Sequence, residues 1–475
     1  MTLGAVPFWI HEWQNNTTVH PVGLAMLLLA GVAMLILPRR WAILPVLVMA
    51  CFVAPAQRIV VAGLDFNFIR CMVLFGWVRL LARGEARSIK WLPMDTAILI
   101  WGVVSTIFYT LQVGDFGAFV FRLGTSYDAV GLYFLFRFLI RSWEDITKTL
   151  VAVALISIPV MMFFIVERLT RHNLFSVFGG VPTITIIREG RMRCQGAFAH
   201  SILAGCFWAA LIPMLAALLW QGATRKFFAF VGVINCLGLI FLCASSTPLV
   251  AAMAGGAAWL LFPIRYKMRQ VRWAVVLVLF TLHMAMHKPV WHLLARIDLV
   301  GGSTGWHRYK LVDLAINNWS EWFATGLHNT AHWGIVDITN EYVLQGLRGG
   351  IVTLAVFITI ITMAFISVGK MIRVERANKA RLMLAWGMGV GLFIHISSFV
   401  SVSYFGQIQM LWYLHLAMIG SAMAVTQQKL DLQKQRKIME ITRARRERAR
   451  KAKAALDSAN AESQVDTVPG DSYAR

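Results

Sequence analysis

Apolar runs long enough to cross a bilayer recur along almost the whole chain, and this recurrence constrains the fold more than any other feature. A hydrocarbon core about 30 Å thick takes roughly 17–25 apolar residues of helix. Thirteen runs of this kind are readable, near 22–38, 41–57, 64–82, 94–111, 119–140, 147–166, 198–220, 226–243, 247–263, 272–287, 343–369, 382–402 and 405–426. The second is short and ends at Pro55, and the fifth contains Arg122. Lipid offers no water to unpaired backbone groups, so the runs predict helices. The alternating ten-residue segments of an outer-membrane barrel are not present. The expectation is an all-α polytopic membrane protein with about 12–13 transmembrane helices, the first retained because no cleavage-site pattern follows it. Only 14% of the residues are charged, against about 25% in soluble domains, which excludes a cytosolic enzyme.

The net charge of +22 would point to nucleic acid in a soluble protein. Its distribution points to a membrane instead. Twenty Lys and Arg fall in six short connections, from Arg39 and Arg40, through Arg79, Arg83, Arg87 and Lys90, to Lys370–Arg381. These connections alternate along the chain, so the positive-inside rule places them in the cytoplasm. The segments 167–197 and 288–340 then lie on the outer face. Residues 1–426 form the membrane domain. A basic cytoplasmic tail follows at 427–475: its part 429–453 is helix-prone and suited to anionic headgroups, and 457–475 is expected to be disordered. No base-reading motif accompanies the charge, so nucleic acid is not expected. Five of the six cysteines lie in or at the ends of spans, and Cys194 alone lies in an outer loop, so no disulfide pair is evident. There is no P-loop, dinucleotide fingerprint or HExxH.

Polar residues at costly positions mark the candidate site. Arg188, Arg191 and Arg193 precede Gly196 and a long span. Forked guanidiniums beside a helix N-terminus suit phosphate oxygens. In the second outer loop, 307–320 has helical periodicity with Arg308 near its start, and Trp319, Trp322 and Trp333 read as interface anchors. The pairs His283/His287 and His328/His332 have i,i+4 spacing but no clear third metal ligand. His328 and His332 are the better general-base candidates. Asp337, Asn340, Glu341 and Arg348 lie in the first turns of the following span, where polar groups are functional candidates by default. For Asp337 or Asn340 the alternative is helix capping. Arg122 is an intramembrane charge of the same kind.

Together these residues resemble the O-antigen ligase and O-antigen polymerase superfamily of bacterial inner-membrane glycosyltransferases. Three stretches carry the likeness: Arg193–Gly196 followed by Ala197 and Phe198; Arg308 and Tyr309 through Trp322 to Gly326; and Asn340 to Ile351. Two departures stand out. Thr339 occupies the position where ligases usually carry histidine, and Ser245-Ser246-Thr247-Pro248 lacks the usual arginine. The resemblance implies a helical, metal-independent lipid-sugar glycosyltransferase without cofactor. It would transfer glycan from an undecaprenyl diphosphate carrier at the periplasmic face, with Arg188, Arg191, Arg193, Arg308, Asn340 and Arg122 binding substrate and His332, Glu341, Asp337 or His328 as base. A flippase and a chain-length regulator would be its companions. The missing histidine favours a polymerase of surface or exopolysaccharide repeat units over a ligase acting on lipid A core. A transporter of a lipid-linked sugar or small anion is the alternative of another class. It should show broken helices near mid-membrane, and the sequence gives no sign of them.

Overall fold

A computed structural model describes residues 16–86, 89–188, 190–296, 305–335 and 337–465. Arg87 and the end of the tail, 466–475, lie outside these residues. The chain divides into two compact units, residues 1–424 and 425–475. Fifteen α-helices follow one another among the described residues: α1 Pro21–Ile36, α2 Leu44–Phe52, α3 Phe68–Ala82, α4 Pro93–Val113, α5 Phe116–Leu139, α6 Trp143–Thr170, α7 Ser201–Ala216, α8 Ala223–Leu242, α9 Ser246–Leu260, α10 Met268–Ala285, α11 Gly305–Asn317, α12 Trp319–Trp322, α13 Glu341–Val374, α14 Lys379–Phe399 and α15 Gln407–Val465. The strands among these residues form two short antiparallel hairpins, 58–67 and 187–192. The protein is a helical polytopic membrane protein.

The expected thirteen spans are not all full crossings. Seven helices are long and apolar enough among the described residues, or eight if the bent pair α9–α10 counts as one. The seven are α4, α6, α7 with the 3-10 turn that carries it on to Trp220, α8, α13, α14 and the apolar start of α15. The run 41–57 yields only nine helical residues, about half the rise a bilayer needs. The run 64–82 opens as strand and leaves 15 residues of helix. Helix α5 is 24 residues long, long enough to run from one face to the other, and stands outside the seven because Arg122, Asp128 and Arg137 interrupt its apolar character. The runs 247–263 and 272–287 meet at a 78° bend. In the tail, helix continues to Val465, past residue 457 where disorder is expected.

Two sets of helix ends gather at opposite faces of the first unit. At one, five of the basic connections meet: Arg39 pairs with Asp145 at 3.2 Å, Arg141 donates to the Glu85 carbonyl, Arg225 pairs with Glu144 at 2.6 Å, and Gln221 donates to the Ala380 carbonyl at 2.8 Å. Several charges counted as loop residues are interior. Arg137 is buried against Asp95 at 3.1 Å, and Arg79 is buried against Glu85 at 2.9 Å. At the other face the long loops meet. His20 N–H donates to Gln57 Oε1 at 2.8 Å, and Gln407 Nε2 donates to the Ala197 carbonyl at 2.8 Å and the Val53 carbonyl at 3.3 Å.

Candidate functional site

The site begins with a fault in α13. Its first turns are set by Asn340, whose Oδ1 accepts from Val343 N–H at 3.0 Å. The helix then breaks at Gly349 and Gly350, and Gly350 has φ +65° and ψ −168°, a conformation open essentially only to glycine. The break frees backbone groups that lipid cannot satisfy. The turn 323–327 and the end of α4 supply partners for them: Leu327 N–H and, from α4, Gln112 Nε2 donate to the Leu347 carbonyl at 2.8 and 2.9 Å, and Ile351 N–H donates to the Phe323 carbonyl at 2.8 Å. The wedge rests on its own small core. Ala315 and Trp333 bury against Leu347, and Trp322 packs beside them. A Cβ at Gly346 would approach Trp322 to 2.8 Å. Trp322 and Trp333 therefore pack inward and are not interface anchors; Trp319 alone of the three is exposed. Hydropathy alone shows no sign of this broken span.

Beside the break lies a polar cavity of about 20 Å³, whose walls include Arg122, Glu341, Gln345, Arg348, Tyr404 and Gln409. That volume admits about one water-sized group. Arg122 is 1% exposed. Its Nε reaches the Ser105 carbonyl at 3.4 Å, and its guanidinium lies 5.5 Å from the Trp101 ring and 5.8 Å from the Tyr109 ring. Arg122 Nη2 is buried without a hydrogen-bond partner among the described residues. Both Glu341 oxygens are engaged: Oε1 accepts from Gln345 Nε2 at 2.7 Å, and Oε2 accepts from Tyr404 N–H at 2.7 Å. Gln345 Oε1 in turn accepts from Trp101 Nε1 at 3.0 Å.

The three sequence stretches meet on one connection, 400–407, between α14 and α15. Ala197 contacts it through Gln407, Arg308 Nε donates to the Ser401 carbonyl at 3.2 Å, Asn340 Nδ2 donates to the Val400 carbonyl at 3.0 Å, and Glu341 holds Tyr404. Asn340 thus spends both ends of its amide inside the protein. The Gln195–Gly196 turn is occupied as well: the two N–H groups donate to the Glu167 carboxylate at 3.0 and 3.1 Å, which also accepts from Thr185 at 2.7 Å. These amides serve an internal carboxylate. Four residues separate them from Ser201, where α7 begins.

Arg188 and Arg191 face each other across the exposed hairpin. Arg188 and Arg193 act on His200, whose pKa is lowered chiefly by loss of water around the ring and then by these two cations, against the pull of Asp337. Asp337 is raised by desolvation, with His307 and His200 opposing. His307 Nε2 lies 2.9 Å from the Asp337 carbonyl oxygen. The first loop's arginines and Asp337 are thus linked through His200, in a cluster where the two histidines, and not the arginines, act on Asp337. His332 does not join it. Its Nε2 is 2.7 Å from Glu321, which this hydrogen bond holds below the usual carboxylate range. His328 is exposed with its ring 6.1 Å from Tyr109, the ring that also faces Arg122. The two imidazoles do not form a single helical face, since helix in this segment is confined to residues 331–333. Thr339 Oγ1 is buried with no hydrogen-bond partner among the described residues.

Sequence reasoning gave no role to Gln345, Gln407 or His200, and it named Arg348 as an intramembrane candidate without assigning it a ligand or partner. For Arg348 a signal existed: an arginine in an apolar run directly before two glycines. Comparison with protein-family models and with curated proteins gives no match.

Proposed function

We propose that the protein is a metal-independent glycosyltransferase of the bacterial inner membrane, polymerising undecaprenyl-diphosphate-linked repeat units of a surface or exopolysaccharide. The observation that carries the reading is the meeting of the Arg193–Ala197, Arg308 and Asn340–Glu341 stretches on the single connection 400–407. These stretches are far apart in sequence, and they are the ones whose order resembles the polymerase and ligase superfamily. The basic connections put their own face in the cytoplasm. The long-loop face, with the site, is then periplasmic, and the basic tail is cytoplasmic.

In this reading an acceptor hydroxyl attacks the anomeric carbon of the donor glycan. The bond from that carbon to the diphosphate oxygen breaks, and the diphosphate leaves on its lipid. Arg188, Arg193 and Arg308 offset the charge that grows on the phosphate oxygens, an effect strongest where water is excluded. Asp337 takes the hydroxyl proton. It is the base candidate that shares His200 as a neighbour with Arg188 and Arg193, it is open to solvent where an acceptor can reach it, and its raised pKa brings it nearer the working pH. Glu341 and Asn340 position the 400–407 connection.

The test is chain elongation by purified full-length protein with lipid-linked repeat units in liposomes. Wild-type protein makes polymer without nucleotide or added metal. Asp337→Asn loses turnover by roughly 10²–10⁴-fold while retaining donor binding. Wild-type turnover in Asp337→Asn removes the base, and absence of any polymer from the wild type removes the polymerase reading. Transfer to lipid A core in its place would indicate a ligase. The break in α13 favours a second reading, a transporter of a lipid-linked sugar or small anion, because discontinuous helices line transport sites. Donor uptake across the liposome membrane without elongation would establish it.

A further inference from the structure

We propose that Arg122 and Arg348 form an oxyanion-binding site inside the helical unit, at the break in α13, taking one oxygen of a phosphate- or carboxylate-type group. The inference does not depend on glycosyl transfer, since a transporter would need such a site equally.

Arg122 lies six residues into α5 and Arg348 seven residues into α13, so each sits about 9–11 Å along its helix from the long-loop end. An arginine at that depth is costly unless it is paired. Arg122 has one marginal carbonyl contact and two aromatic neighbours, and its Nη2 aims at no acceptor among the described residues. Arg348, half-buried on the cavity wall, is a second cation close enough to act on Arg122 unfavourably. Among the described residues it makes no ion pair or hydrogen bond. Glu341 is the carboxylate on the cavity wall, and its two oxygens already serve Gln345 and Tyr404. Two guanidiniums against one committed carboxylate leave a net positive charge and unused forked donors, the arrangement that suits an oxyanion. The cavity admits about one oxygen-sized group. The body of the ligand therefore stays outside, and only a terminal oxygen enters. The glycine break and its wedge also supply irregular backbone, which membranes tolerate where it is packed in protein or lines a cavity.

The experiment uses full-length protein in nanodiscs of phosphatidylcholine, titrated with decyl phosphate, inorganic phosphate and glucuronate in turn. Wild-type protein is expected to bind at least one of them. Arg122→Gln and Arg348→Gln are each expected to bind it roughly tenfold or more weakly, the scale of one lost charge-assisted hydrogen bond. Glu341→Gln removes the competing negative charge and is expected to bind more tightly. Binding of decyl phosphate alone assigns a lipid-borne phosphate, and binding of glucuronate alone assigns an acidic sugar. Binding of inorganic phosphate as tightly as decyl phosphate assigns free phosphate. Failure of wild-type protein to bind any of the three overturns the proposal, as does unchanged affinity in both arginine variants. If the variants do not fold, arginine-selective dicarbonyl labelling of wild-type protein decides. Protection of Arg348 by the anion supports the site, and labelling unaffected by all three anions refutes it.

Discussion

The break in α13 makes Gly350→Ala an informative perturbation. At φ +65° and ψ −168°, an alanine is strained by about 1–3 kcal/mol. Its Cβ would also lie 2.5 Å from the Ala324 carbonyl oxygen and 2.8 Å from that of Phe323. The wedge must then withdraw, and the 2.8 Å bond from Ile351 N–H to the Phe323 carbonyl is lost, at a further cost of about 1 kcal/mol. The total is about 2–4 kcal/mol of destabilisation. An opposing gain of up to about 1 kcal/mol in helix propensity is realised only if the helix closes across the break, which the turn 323–327 blocks. Gly256→Ala is the matched control, because Gly256 lies within α9 and a Cβ there would meet nothing within 4 Å. The assay is thermal unfolding of both variants and wild type in the same detergent. Gly350→Ala should melt well below wild type, and Gly256→Ala at or slightly above it. If Gly350→Ala melts with the wild type or above it, the wedge does not hold the break and the reasoning fails.

Breaking the buried Arg137–Asp95 pair with Asp95→Ala should destabilise by about 3–5 kcal/mol, because it strands a buried cation; a double variant replacing both by apolar residues should recover much of the loss in the same melt. Glu167→Gln keeps the shape of the side chain but removes the charge that holds the Gln195 and Gly196 amides, and a loss of about 1–3 kcal/mol is expected, with faster amide exchange at 195–196 as the local readout. His332→Ala should leave polymer formation unchanged, since the ring is exposed and engaged with Glu321; loss of elongation at wild-type protein level would return it to the mechanism. His200 has its pKa lowered in the fold although the residue is open to solvent, so a small part of the stability, reduced by solvent screening, is retained above the ordinary histidine range and lost as pH falls below about 6.5, where the unfolded chain takes up a proton that the folded chain resists. His200→Gln should flatten that acid-side decline in melting temperature, and an unchanged slope would count against it.

Apolar run length determined the fold class, because bilayer thickness and the hydrogen-bonding demand of the backbone act on each segment alone. The same reading did not separate the runs that form long unbroken helices from those that are short or bent. Whether 41–57 completes a span, or whether 247–287 bends by 78°, depends on the neighbours that cover each segment. Residue type also identified Arg122, Arg308 and Glu341 as polar groups in costly places. It left open what each one touches. Asn340 caps its helix and ties down Val400, and Glu341 spends both oxygens on Gln345 and Tyr404. Trp333 reads as an interface anchor but packs into a core. His328 and His332 have helical spacing but separate partners. A hydrogen bond from Arg308 to a carbonyl 93 residues away, or a turn at 323–327 filling a break at 349–350, leaves no mark in local composition. Periodicity and hydropathy record each segment's relation to water and lipid, whereas these contacts arise only when segments distant in sequence pack together.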